Sequence, residues 1–127
     1  MKYDDLLNVP YKEQGRTKEE GFDCFGVCVE MCRRDGKILK DPFKDIKNIS
    51  NEEANDYINE ALNIKEIPKA EPGAIVEFFL SGNLHAGYVV KGDLMIHATK
   101  DKGVRISPIK ALNPVAFYEV INESDNL

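Results

Sequence analysis

The hydrophobic period of this chain changes near Ile64, and that change limits the folds open to it. Before it, apolar residues recur at helical spacing. After it, short runs rich in β-branched and aromatic residues are separated by turn signals. Helices followed by strands predict an α+β architecture. Residues 3–8 read as a short helix stopped by Pro10, and residues 11–21 as a glycine-containing loop. Val27, Cys28, Met31 and Cys32 share one side of a helix expected from Asp23 or Cys24 to Arg34, with Gly36 as its stop. Residues 37–49 have no clear period. Ser50 and Glu53 match a reciprocal capping box, and Ala54, Tyr57, Ile58, Ala61 and Leu62 form the apolar face of the helix that follows.

Pro72-Gly73 marks a turn. The expected strands are Ala74–Leu80, Leu84–Val90, Leu94–Thr99, Val104–Ser107 and Val115–Ile121, about five in all, and their short connections favour antiparallel pairing. The tail after Glu123 is polar and is expected to fray. The 127 residues fit one domain, spanning 1–127 with a core of about 11–121. No apolar run reaches the roughly 18 residues of a membrane span. The first residues lack the apolar core of a signal peptide. The net charge of −5, with no basic cluster beyond Arg33-Arg34, argues against nucleic acid as a partner.

All three cysteines, Cys24, Cys28 and Cys32, lie four residues apart on the first long helix. An odd count cannot be fully paired within one chain. Cys28 and Cys32 read as small buried apolar residues. A zinc site is disfavoured, because neither histidine is near in sequence and no CxxC spacing occurs.

Cys24 differs, because it follows Gly21-Phe22-Asp23 at the helix start, where Asp23 suits the N-cap. Unpaired first-turn N–H groups favour a thiolate and could stabilise an oxyanion. Alone, the setting fits a structural cysteine equally well.

The two histidines, His85 and His97, shift the balance. With Lys91-Gly92-Asp93 as a three-residue hairpin loop, Val90 faces Leu94 and Gly87 faces His97. His85 and His97 then share a face as diagonal neighbours about 7–8 Å apart, within reach of a ring–ring hydrogen bond, with Gly87 leaving room for the rings. A two-residue loop would put them on opposite faces. The three-residue loop is preferred because it gives the histidines a shared role. His85 would take the proton of Cys24 and His97 would orient His85.

Gly21-Phe22-Asp23-Cys24-Phe25-Gly26-Val27, preceded by Pro10-Tyr11, resembles the nucleophile motif of the NlpC-type cell-wall cysteine peptidases. Leu84-His85-Ala86-Gly87-Tyr88 is similar to their second motif and Met95-Ile96-His97-Ala98 to their third. Pro72-Gly73-Ala74-Ile75-Val76 resembles their Pro-Gly-Asp-Leu-Val segment. The resemblance runs from about Tyr11 to Ile106. It implies a papain-like fold, with N-terminal helices packed on an antiparallel sheet. It also implies hydrolysis of peptidoglycan stem peptides, often between D-glutamate and a diamino acid, with no metal or organic cofactor.

Position by position, the resemblance makes Cys24 the nucleophile, His85 the base and His97 the orienting residue. Tyr11 would line the site near the oxyanion. Asp23 would bind a substrate amine, although a plain N-cap is the competing role. Many members have serine where Phe25 stands, which bears on substrate recognition; an aromatic there is similar to phage-tail members. The lack of a secretion signal and of a wall-binding domain suits a phage or prophage tail component, or delivery to the wall by a partner. The alternatives are an amidase or acyltransferase on another substrate, or a tail-assembly or wall-binding module with little activity.

Overall fold

The structure is a computed structural model and describes residues 3–121. The polar tail after Glu123 lies outside the described residues. The fold is α+β, with two α-helices on a six-stranded antiparallel sheet. Helix α1 spans Cys24–Arg34 and α2 spans Asn51–Glu60. The main sheet holds β3 (Ile64–Ile67), β4 (Ile75–Leu80), β5 (Asn83–Lys91), β6 (Leu94–Thr99), β7 (Gly103–Pro108) and β8 (Ala116–Val120), in the order β3-β8-β4-β5-β6-β7.

The main sheet therefore has one strand more than the pattern predicts. The addition, Ile-Lys-Glu-Ile at β3, is a short edge strand that pairs with β8 from far along the chain. Two further corrections concern the N-terminal segment. Residues 3–8 contain only a short 3-10 turn at Asp4–Leu6. The expected loop at 11–21 holds a small hairpin, β1 (Arg16–Thr17) with β2 (Gly21–Phe22).

Both helix starts follow from their caps. The Asp23 carboxylate accepts the Gly26 N–H at 2.7 Å. Ser50 Oγ accepts the Glu53 N–H at 3.1 Å, and Glu53 reaches back to the Ser50 N–H. Helix α1 is pressed against the β1–β2 hairpin so closely that a Cβ on Gly26 would lie 2.2 Å from the Gly15 carbonyl oxygen. Glycine is the side chain that fits there.

Helix α1 buries Val27, Cys28, Met31 and Cys32 against Tyr88 and Ile96 of the sheet. Cys28 and Cys32 are thus core residues. A second cluster on the sheet joins Val76, Phe78, Val89, Met95 and Ile109. No helix among the described residues is long and apolar enough to cross a membrane.

The β5–β6 hairpin reaches the expected face by a different route. Lys91 pairs with Leu94 across a two-residue turn, and a bulge follows between Val89 and Lys91. The extra residue restores Val89↔Met95 and Tyr88↔Ile96, the register a three-residue loop would have given.

Candidate active site

Cys24 is the first helical residue of α1, and its thiol lies beside the β5 backbone at Ala86. The β5–β6 pairing stops at Tyr88↔Ile96, although both strands continue. The sulfur therefore meets a stretch of β5 that no longer has β6 beside it. Here a cavity of about 250 Å³ opens, bordered by Cys24, His85, Tyr11, Asp23 and Phe25. Five of the six residues singled out in the sequence thus meet at one place. The sixth, His97, does not border the cavity. It is buried behind it, with Nε2 2.8 Å from Ser107 Oγ.

The ring–ring hydrogen bond between the histidines is absent. Nδ1 of His85 and Nδ1 of His97 are both enclosed without a hydrogen-bond partner. Phe78 touches both rings instead, stacked on His85 at 5.8 Å and edge-on to His97 at 5.7 Å between centroids. The room above Gly87 is also taken differently from expectation. A Cβ there would lie 2.6 Å from Met95 Sδ and 3.3 Å from Val76, so the space holds core side chains rather than the imidazoles.

Burial sets the charge states. The Cys24 thiol is pushed up to about 11, first by burial and then by the Asp23 carboxylate. The N–H groups of Ala86 and Phe25, and Arg16, pull the other way without prevailing. The thiol is neutral at rest, contrary to the thiolate that its helix-start position suggests. His85 is lowered by burial and then by Lys100, while Asp23 pulls it upward. His97 falls to about 4, through burial, Arg105 and His85. Tyr11 is raised to about 12, mainly by burial and then by Cys24 and Asp23, so its hydroxyl keeps its proton.

Asp23 is fully engaged by the protein. Oδ1 accepts from the Gly26 N–H and from Arg16 Nη1 at 2.8 Å, and Oδ2 from the Gln14 N–H at 3.0 Å. Arg16 also grips Asp41 through Nε at 2.7 Å and Nη2 at 3.2 Å. This nearly buried guanidinium ties the Cys24 helix to the 37–50 segment. The Gln14 side chain adds a bond to the Lys44 carbonyl at 2.9 Å. Phe25 continues the tie, meeting Phe43 edge-on at 4.8 Å, and Phe43 meets Tyr57 of α2 at 5.4 Å.

Segment 37–50 and α2 thus form a wall of the cavity. Arg16, Gln14, Phe43 and Glu77 escaped the sequence reading because no local pattern marks them. Ser107 had a signal: it is two residues past Arg105 on a strand expected to pair with the His97 strand. Among the described residues no three His, Cys, Asp or Glu side chains converge to hold a metal ion.

The model of the NlpC/P60 family matches residues 8–114. Among solved structures, the chain is similar to the NlpC/p60 domain of the peptidoglycan hydrolase SagA. The identity is 19%, covering 94% of this chain and 93% of that one, with a TM-score of 0.60. It is also similar to the P60 domain of an antigen from M. avium subspecies paratuberculosis, at 18% identity, with 94% and 89% covered and a TM-score of 0.60. A third likeness is to the peptidoglycan hydrolase RipB from Mycobacterium tuberculosis, at 19% identity and a TM-score of 0.59. That match covers 95% of this chain but 61% of RipB. A search of curated proteins found no match.

Proposed function

Because the chain belongs to the NlpC/P60 family, we propose that it is a cysteine hydrolase of peptide bonds in peptidoglycan stem peptides. Cys24 is the nucleophile, His85 the base and His97 the positioning residue. The observation that carries this reading is the convergence of Cys24, His85 and Tyr11 on one cavity from three distant parts of the chain. Similarity to peptidoglycan hydrolases supports the substrate class.

With thiol and imidazole both neutral at rest, attack and proton transfer are coupled. Cys24 Sγ bonds to the scissile carbonyl carbon as its proton passes to His85. The oxyanion is met by the Cys24 N–H at the start of α1 and by the protonated Tyr11 hydroxyl. His85 then gives the proton to the leaving nitrogen and the C–N bond breaks, leaving a thioester. Water, deprotonated by His85, releases the acid and restores the thiol.

His97 positions His85 through Phe78, which stacks on the His85 ring and meets the His97 ring edge-on. The His97 ring is held in turn by Ser107, whose Oγ lies 2.8 Å from Nε2. Arg105 Nε donates to the same oxygen at 3.3 Å and helps keep His97 neutral.

The test is digestion of purified peptidoglycan and defined stem peptides, with products read by mass spectrometry, for wild type, Cys24→Ala and His85→Ala. The expected result is release of cleaved stem peptides by wild type alone. Equal release by Cys24→Ala would overturn the assignment.

A further inference from the structure

Helix α2 has an apolar face yet buries none of its residues. An amphipathic helix gains its stability by pressing that face onto the layer it covers. Here Ala54 and Ile58, one turn apart, and Leu62 just past the helix end stay partly exposed. The cavity that begins at Cys24 lies between them and the sheet. Its floor crosses four neighbouring strands: Leu84 of β5, Ile75 of β4, Tyr118 of β8 and Ile64 of β3 line it in turn. Neighbouring strands stand about 4.8 Å apart, so three steps carry the floor about 14 Å from β5 to β3.

Charge gathers at one end of this groove. Asp23 precedes Cys24, and Glu77 is the cross-strand partner of Ala86, whose N–H faces the Cys24 sulfur. From there towards β3, the floor and the α2 side are aliphatic or aromatic. The groove also lies on one definite side of the reacting bond. A leaving group departs beside His85, whose ring stacks on Phe78, a residue of the core on the opposite face of the sheet. The groove runs along the α2 face and so receives the acyl part. An unbranched methylene chain suits that shape, because it advances about 1.3 Å per carbon when extended and about ten carbons cover the floor. A free acid would bring an ionised carboxylate to Asp23 and Glu77, whereas a neutral ester would not.

We propose that this groove binds the acyl chain of a neutral aliphatic ester, of about eight to ten carbons, and that Cys24 hydrolyses such esters as a further activity. As a statement about turnover, this rests on the reading of Cys24 as nucleophile. Cys24 Sγ bonds to the ester carbonyl carbon while its proton passes through His85 to the departing oxygen. The C–O bond breaks, the alcohol leaves, and a thioester remains. Water, deprotonated by His85, adds to the thioester; the C–S bond breaks and the sulfur takes the proton back.

Binding and turnover are tested separately. Cys24→Ala protein is titrated with N-methyl-octanamide and with N-methyl-butanamide, followed by amide NMR shifts. Each of the four added methylenes should tighten binding about two- to fourfold, so the octanamide is expected to bind at least about tenfold more tightly. It should shift the resonances of Ala54, Ile58 and Ile64. Ile58→Gln, which makes the wall polar, should cut the preference several-fold, and Ala54→Phe, which fills the groove, should bring it to about one. Equal binding of the two amides, shifts that spare those three residues, or a preference that survives both variants would each overturn the proposal.

In parallel, wild-type protein is mixed with p-nitrophenyl butanoate and octanoate. Nitrophenolate release is followed by absorbance and acylation of Cys24 by mass spectrometry. The octanoate is expected to show at least about tenfold higher kcat/KM, and turnover no faster than that of the butanoate would overturn the ester activity. Acylation of Cys24 without a chain-length preference in either assay sinks the groove alone. A binding preference without acylation sinks the nucleophile, and the hydrolysis with it, while the groove stands.

Discussion

His97 offers a quantitative test of how the site is built. It is nearly fully buried, and its affinity for a proton falls from an ordinary 6.5 to about 4 in the folded protein. Between those values the unfolded chain holds the proton and the folded chain does not, so acid favours unfolding. The stability at stake is intact above the unfolded value and declines as pH falls towards about 4. The linkage relation gives a loss of about 2 kcal/mol from this one ring between about pH 8 and about pH 5.

Urea unfolding across that range, for wild type and His97→Asn, isolates the effect. The variant also loses the Ser107 contact, but that offset is common to every pH, so the difference in slope is the readout. His85 shifts in the same direction and remains in both proteins. The wild-type stability should fall more steeply with acid than that of the variant. Parallel lines would mean that His97 titrates in the folded state as an ordinary solvated ring, and the neutral positioning role would fail.

The neutral Cys24 thiol should alkylate with iodoacetamide more slowly at neutral pH than a free cysteine and accelerate steadily in alkali; a rate plateau at mildly acidic pH would reveal a preformed thiolate instead. Asp23→Asn keeps a cap of equal quality while removing the charge beside the sulfur, and should move that alkylation profile to lower pH; an unmoved profile would show that burial alone sets it. Arg16→Ala strips Asp23 and Asp41 of their shared partner and should cost about 2–4 kcal/mol in urea unfolding, whereas Arg16→Lys, lacking the fork, should recover only part. Phe43→Ala removes two edge-on ring contacts, worth about 0.5–1.5 kcal/mol each, and should speed amide hydrogen exchange across residues 41–46 while leaving exchange in β5 and β6 unchanged.

The sequence was most legible where one residue type has one structural use. Asp23 before an apolar period located the start of α1, and Ser50 with Glu53 located α2. Alternation carried β4 to β8, and the choice of a three-residue loop, made to give the histidines a shared role, placed both on one face. It could not reveal that a bulge rather than a longer loop sets the register, because Val90 looks like any other strand residue. Strand β3 was illegible for a related reason: four residues with two charges become a strand only through pairing with β8. The cavity wall was harder still. Residues 37–49 carry no period, and Phe43, Asp41 and Lys44 are held there by Phe25, Arg16 and Gln14, contacts made across roughly twenty to thirty positions that no local pattern records.

Asp23 shows why the helix start alone misjudged the thiol. The unsatisfied N–H groups of a first turn do favour an anion, but here the anion they serve is the Asp23 carboxylate, which occupies the Gly26 N–H. The same carboxylate then opposes a second negative charge on the neighbouring sulfur, and Arg16, divided between Asp23 and Asp41, offsets it only in part. A cap chosen from the usual residues, Asp, Ser, Thr and Asn, therefore has a consequence that its capping rank does not contain: a charged cap raises the thiol that follows it, and a neutral one would not. In the proposed mechanism, activation of Cys24 therefore falls to the moment of attack, when His85 removes the proton and the developing charge passes to the substrate oxygen, away from Asp23.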